Sequence, residues 1–254
     1  MKLGAQLFSV RDRGRTPEEV RLCFEEMKRI GYTVVQVSGL CPTPAEQLKA
    51  FSEEFELPIT LTHSPYDRIV NDTEALIAEH KIFGCPIIGI GSMPKEYRKT
   101  EEGLYAFIAE IKEPMRKMKE AGLKLAYHNH EFEFNTYYGT RRMIDILAEE
   151  CPELDFTLDV AWVTIGGGDV EEYMRKFAKR ITNLHLKDYP VLTEGQRPYP
   201  FCPCGEGLVD FDRIVRLARE LGIKYCQVEQ DNAPDSGDSF GQMAISYNNL
   251  KALF

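Results

Sequence analysis

The segment YHNHEFEF, Tyr127 to Phe134, sets His128 and His130 two residues apart and follows them with Glu131 and Glu133 at the same spacing. Imidazoles and carboxylates are the side chains that ligate divalent metals and carry protons near neutral pH. Residue types alone leave three readings open: metal binding, acid–base chemistry, or the capping of an element. On an extended chain, residues two apart share a face, so His128 and His130 project together if a strand runs through them. The choice among the three depends on where the fold puts the segment.

Eight short apolar segments read as strands: Leu3 to Phe8, Thr33 to Val37, Pro58 to His63, Pro86 to Ile90, Leu123 to His128, Leu154 to Asp159, Ile181 to Leu186 and Lys224 to Glu229. They are rich in Val, Ile, Leu and Thr without strict alternation, as strands buried on both faces are. Helical patterns separate them. TPEEVRLCFEEMKRIG has Thr16 as N-cap, Pro17 at the first helical position and Gly31 at the stop. TPAEQLKAFSEEF repeats the Thr-Pro-acid start, and Pro114 is expected to kink or divide the long fourth helix. His80 falls in the third helical pattern and is expected at the surface. A βα unit repeating eight times at roughly 30 residues implies a closed (β/α)8 TIM barrel. No linker interrupts it, so residues 1–254 form a single domain. An open doubly wound sheet is the competing architecture, but no Gly-x-Gly-x-x-Gly follows a strand.

Composition narrows the function. Of 254 residues, 43% are hydrophobic, enough for a large core, and the formal net charge is −9. That balance argues against a nucleic-acid partner, which needs a basic stripe. No run of 18 apolar residues is present, so no membrane span is expected, and the start MKLGAQLFSV is too short and too polar for a signal peptide. Seven cysteines without framework spacing point to reduced thiols and a cytoplasmic setting. Cys202 and Cys204 lack the second pair a zinc knuckle requires and read as loop residues.

In a TIM barrel the active site lies where strands end and βα loops begin. The strand ends here carry Gln6, Gln36, His63, His128, Asp159, His185 and Glu229. A His, Asp and Glu set suits one divalent cation, Mn, Mg, Co or Zn. Glu229 sits in an apolar strand, where an unpaired carboxylate is costly and a cation removes the problem. Asp159 has a blander reading as a cap, and His185 as a hydrogen-bonded core histidine. Gln6 suits a substrate hydroxyl, although packing accounts for it equally well. His63, His128 and His130 are substrate-contact candidates. Lys187, two residues after His185, is read as an electrophile or a donor to a sugar oxygen. Arg197, in the loop over 188–206, is the candidate for a phosphate or hydroxyl, while Asp188 reads as loop structure and Asp169 as a helix cap.

The motifs QLFSVRD, YHNHEFEF, LDVAW, LHLKD and GEGLVDF leading into VEQD, spread over nearly the whole chain, together resemble the xylose isomerase-like TIM-barrel sugar (phosphate) isomerases and epimerases. That group includes ketose 3-epimerases, hydroxypyruvate isomerase, inosose dehydratase and a DNA-repair endonuclease branch. The resemblance implies one metal ion held from strands 5, 6, 7 and 8. Asp159, His185 and Glu229 match the last three. At strand 5 the family's glutamate is replaced by His128, so Glu133 is the preferred ligand and His128 the second choice. Trp162 stands where a substrate-touching histidine often sits, which departs from a plain aldose–ketose isomerase and suggests an indole stacked on a sugar face.

The leading expectation is therefore a metal-dependent carbohydrate isomerase or epimerase. Glu229 and Glu133 would flank the reacting carbon of a keto-sugar or sugar phosphate and move a proton beside the carbonyl. The alternatives are a metal-dependent dehydratase or lyase on a keto-sugar or inosose, with His130 or Lys187 serving the leaving group, and a non-catalytic sugar-binding barrel. The acidic charge sets the endonuclease branch aside. The partner expected is a small carbohydrate, and homo-oligomerisation is left open.

Overall fold

The eight apolar segments form eight parallel strands: β1 Lys2–Gln6, β2 Val34–Val37, β3 Ile59–Ser64, β4 Ile87–Ile90, β5 Lys124–His128, β6 Asp155–Asp159, β7 Ile181–Leu186 and β8 Tyr225–Val228. The computed structural model describes residues 1–191, 193 and 199–254. Each strand pairs with its sequence neighbours, and β8 pairs with β1 to close the barrel. The large apolar core lies between the strands and the helices outside them and includes Phe24, Met27, Phe107, Ile111, Phe156 and Leu217. No helix among the described residues is long and apolar enough to cross a membrane. All seven cysteines are free thiols.

The ends of the elements follow from local hydrogen bonding. β1 stops at Gln6, not at the expected Phe8, because the Gln6 side chain accepts the Phe8 N–H at 3.1 Å and turns the chain into a 3₁₀ segment over Leu7–Arg13. Thr16 caps the helix Pro17–Ile30 as expected, accepting from Glu19 N, and Gly31 ends it at φ 124°, which favours glycine. The second Thr-Pro does not repeat this. Pro44 occupies the N-cap position of Ala45–Glu54, and the Thr43 hydroxyl donates to Cys41 O instead. Pro114 does not divide its helix, which runs from Glu101 to Glu120 with the ring buried. A short helix over Tyr66–Asn71 and a two-residue hairpin, Tyr137–Tyr138 with Arg141–Arg142, were not expected.

Inside the barrel, polar side chains fill much of the space. Thr60 Oγ1 accepts from Gln227 Nε2 at 2.8 Å and from Asn183 Nδ2 at 3.3 Å, with Gln6 and Gln36 also fully buried. One glycine makes room for this layer. A Cβ on Gly89 would lie 2.4 Å from Thr62 O and 2.9 Å from the His63 ring, so β4 must be bare there for His63 to point inward.

Contrary to expectation, His80 is not at the surface. It is 2% exposed, donating from Nδ1 to Leu76 O at 2.7 Å and contacting Thr62 Oγ1 through Nε2 at 2.8 Å, which fastens its helix behind β3. Burial pushes its pKa down from 6.5 to about 4, against the opposing pull of Leu76 O. The folded chain thus holds a neutral imidazole that protonates freely once unfolded. Its contribution to stability is complete above pH 6.5 and is lost as the pH falls toward 4. That gap corresponds to about 3 kcal/mol. In urea unfolding between pH 6.5 and 4, His80→Gln is expected to lose less stability than wild type by roughly that amount; parallel profiles would show that His80 is not held neutral.

Candidate active site

The end of β5 and the turn after it give each residue of YHNHEFEF a separate task. Tyr127 points outward into the helical layer, edge-on to Phe107. His128 points inward and donates from Nδ1 to Gly91 O at 3.0 Å, which leaves Nε2 facing the barrel mouth. Asn129 clamps the end of β6, accepting Asp159 N at 2.9 Å and donating to Asp159 O at 3.3 Å. His130 lies on the cavity wall, its ring 4.9 Å from His128 and 5.4 Å from Trp162, with Nδ1 3.4 Å from Ser92 Oγ. Phe132 stacks on His130, and the Arg98 guanidinium lies over the Phe132 ring, 4.2 Å from its centroid.

Glu133 is where the structure departs most from the sequence reading. Its carboxylate is buried beneath the turn, accepting from His130 N at 2.8 Å and from the Tyr127 hydroxyl. It belongs neither to the cavity lining nor to the cluster of ligating groups. The short helix Phe132–Asn135 holds Glu133 folded back against its own turn, so the carboxylate closes the loop from within. Burial raises its pKa to about 7 in spite of both donors.

The cluster that does form is His128, Asp159, His185 and Glu229, with one ligand atom from each lying within 4.8 Å of the others. Its backbone positions follow from strand register: Asp159 pairs with His185, and Glu229 N donates to Leu186 O at 3.0 Å. Asp159 takes the capping role and also presents its second oxygen to the cluster. Oδ1 accepts Trp162 N at 3.0 Å and caps Val160–Ile165, while Oδ2 faces the cluster without a hydrogen-bond partner, 3.5 Å from His128 Nε2. His185 contacts Gln36 Oε1 through Nε2 at 2.7 Å and Glu229 Oε2 through Nδ1 at 2.9 Å.

These groups fit a cation. Asp159 Oδ2 and His128 Nε2 are both buried, unpartnered and turned to the same space. Burial holds His185 below its ordinary pKa even beside Glu229, so the ring is neutral and protonates only one nitrogen. His185 meets acceptors on both nitrogens, Gln36 Oε1 and Glu229 Oε2, so a ring with a single N–H leaves one of the two contacts without a proton, a place a shared cation would fill. Two imidazoles and two carboxylates suit a borderline divalent ion such as zinc or manganese.

Lys187 stands beside the cluster, 1% exposed. Its Nζ donates to both oxygens of Asp231 at 3.0 Å and lies 3.2 Å from Asp159 Oδ2 and 3.2 Å from Glu229 Oε2. Burial disfavours the ammonium, but Asp159, Asp231 and Glu229 more than offset this and raise its pKa. Burial likewise disfavours the Glu229 carboxylate, and Lys187 and His185 reverse the effect, holding it well below the usual range.

Above the cluster opens a cavity of about 700 Å³. His63, His128, His130, Trp162, Lys187 and Glu229, all candidates from the sequence, line it. Gln6 does not. It is fully buried, with Nε2 3.5 Å from His63 Nδ1, and supports that ring from below. Arg197 lies outside the described residues. Trp162 is edge-on to Phe201 at 5.0 Å and to Tyr199 at 5.5 Å, forming an aromatic wall whose indole N–H has no partner. Sequence reasoning missed Phe201, Arg11 and Asp231 as lining residues. Asp231 was within reach, because it follows Glu229 by two; Phe201 arrives from a distant loop with no local signal. Asp188 is the loop organiser it was read to be, accepting N–H groups of Tyr189, Gly205, Gly207 and Val209.

The sequence matches the family described as xylose isomerase-like TIM barrel over residues 24–244. The chain belongs to that family. An inosose dehydratase of Clostridium perfringens is 26% identical over 251 residues, covering 84% of this chain and 82% of its own. Among solved structures, a sugar phosphate isomerase/epimerase from Parabacteroides distasonis aligns with a TM-score of 0.78 at 20% identity, covering 99% of this chain and 94% of that one. The IOLI protein, described with a binding zinc atom, aligns with a TM-score of 0.73 at 14% identity over 100% and 98% of the two chains. The two structural likenesses speak to the fold.

Because Glu133 is turned away from the cluster, Glu133→Gln is expected to leave affinity for a divalent ion unchanged and to shift unfolding stability by about 1–2 kcal/mol as the charged hydrogen bonds weaken. Calorimetric titration of Mn2+ beside urea unfolding measures both. Loss of ion binding in a folded Glu133→Gln variant would restore Glu133 as a ligand.

Proposed function

We propose that the protein is a metal-dependent lyase that dehydrates a neutral cyclic or open-chain keto-sugar of the inosose type. The observation that carries this reading is the shared wall of Glu229 and Lys187, whose carboxylate and ammonium stand 3.2 Å apart at the cavity. Loss of water beside a carbonyl requires a base for the C–H and an acid for the departing hydroxyl. A carboxylate and an ammonium side by side serve both tasks on one face of a substrate. Of the two cluster carboxylates, Glu229 also lines the cavity, whereas Asp159 does not. Glu229 therefore takes the proton, and Lys187 delivers one to the leaving hydroxyl. His128, Asp159, His185 and Glu229 would hold the divalent ion, which when bound polarises the substrate carbonyl and acidifies the neighbouring C–H. His63 and His130 bind hydroxyls, and Trp162 gives one sugar face a surface to stack on while its N–H meets an oxygen.

Charge supports an unphosphorylated substrate. Among the described lining residues, Arg11 and Lys187 face Glu229, Asp231 and Asp235, so no surplus of cations is set out there for a phosphate. The inosose dehydratase relatives support the same choice of reaction. A second reading, epimerisation, is favoured by His63, whose Nε2 is buried without a partner on the cavity wall and would return the proton to the other face.

Candidate inososes and keto-sugars incubated with the Mn2+ or Zn2+ protein in D2O separate these readings by NMR. Dehydration gives loss of the C–H with an enol-derived product and no deuterium returned to an intact substrate; epimerisation gives the inverted sugar carrying deuterium. In either case Asp159→Asn and His128→Ala are expected to lower stoichiometric metal about tenfold or more. His130→Gln is expected to keep metal and lose about 100-fold in turnover. Full metal content in both cluster variants would end the metal reading.

A further inference from the structure

We infer that Lys187 is an internal cation competing with the divalent ion for Asp159 and Glu229, and that Asp231 acts as the tether that holds its ammonium aside. This rests on the metal reading above. Lys187 makes three contacts of unequal kind. The directed hydrogen bonds of Lys187 Nζ go to Asp231, one to each carboxylate oxygen at 3.0 Å. Its approaches to Asp159 Oδ2 and Glu229 Oε2, both 3.2 Å, are ionic contacts without hydrogen-bond geometry, and Asp159 Oδ2 stays unpartnered. The ammonium thus bonds to the tether and lends only its charge to the cluster.

The charge count shows why such an arrangement is needed. Asp159, Glu229 and Asp231 bring three negative charges to one side of the barrel mouth, and Lys187 brings one positive charge. The remainder matches a dication. Without the ion, the ammonium supplies counter-charge to these carboxylates, which would be costly to bury unpaired. With the ion among His128, Asp159, His185 and Glu229, two cations face one another across the same two carboxylates. The repulsion is relieved if Lys187 draws fully onto Asp231, which also lines the cavity. Lys187 then lowers metal affinity, and Asp231 restores part of it by holding the ammonium back. That second role differs from a mere negative charge near the site, because it operates only while Lys187 is present.

A double-mutant cycle on metal affinity isolates that dependence. Mn2+ is titrated calorimetrically into chelator-stripped wild type, Lys187→Met, Asp231→Asn and the double variant, with Lys187→Gln as a second route should the methionine variant not fold. Lys187→Met is expected to bind about tenfold or more tightly than wild type, and Asp231→Asn about tenfold more weakly. In the Lys187→Met background, Asp231→Asn is expected to change affinity by less than about threefold. Equal or weaker binding by Lys187→Met and Lys187→Gln overturns the competition. An Asp231→Asn loss of the same size in both backgrounds overturns the tether. If neither wild type nor the lysine variants bind Mn2+, the metal reading fails and takes this inference with it. If wild type binds and Asp159→Asn abolishes binding while Lys187→Met changes nothing, the metal reading stands and the inference alone falls.

Discussion

Two carboxylates, Asp159 and Glu229, lie almost entirely out of water at the mouth of the barrel. An ionised carboxylate is not tolerated there alone, and neutralising both by protonation would remove the chemistry they can do. Much of the surrounding structure answers this constraint. Lys187 is drawn inside against its own desolvation, His128 and His185 turn their rings toward the acids, and Gly91 O and Gln36 Oε1 fix the far side of those rings. Partners at the back of each imidazole set its orientation before any ligand arrives.

Several residues serve fold and site together. Asp159 caps a helix with one oxygen and faces the cluster with the other. Asn129 locks the backbone of that aspartate from the neighbouring strand. Glu133 secures the turn that aims His130. Such sharing means a change at the site is felt by the local fold. Unfolding stability must therefore be read beside metal content before either is assigned to one residue.

The barrel was legible because its signals are periodic: short apolar segments separated by capped helical patterns, at a spacing that only parallel βα units satisfy. The strand ends were legible for the same reason. A polar residue at the last position of a buried strand has one place to go, and His63, His128, His185 and Glu229 all went there. What could not be read was direction after a strand stops. Glu133 lies five residues beyond His128, and a single turn of helix decides whether its carboxylate faces the mouth or the interior. Nothing in spacing predicts that Tyr127, on the outward face, would claim it. For Gln6 the buried alternative is the one seen, its side-chain oxygen accepting from Phe8 N. His80 looked exposed because a helix pattern does not reveal that Thr62 waits behind it.

A histidine at the end of strand 5, where a carboxylate is the other choice of ligand, has an electrostatic consequence. A carboxylate there would add a further negative charge beside Asp159 and Glu229, whereas an imidazole adds a ligand atom without one. The buried lysine adds a positive one. Both differences move the cluster in the same direction, toward weaker attraction for a dication than three acids and an imidazole would exert. Holding the ammonium on Asp231 partly reverses that shift while keeping an acid within reach of the cavity. On the proposed reading the site keeps a proton donor next to the residues that would hold the ion, which suits a reaction that must expel hydroxide more than one that returns a proton to carbon.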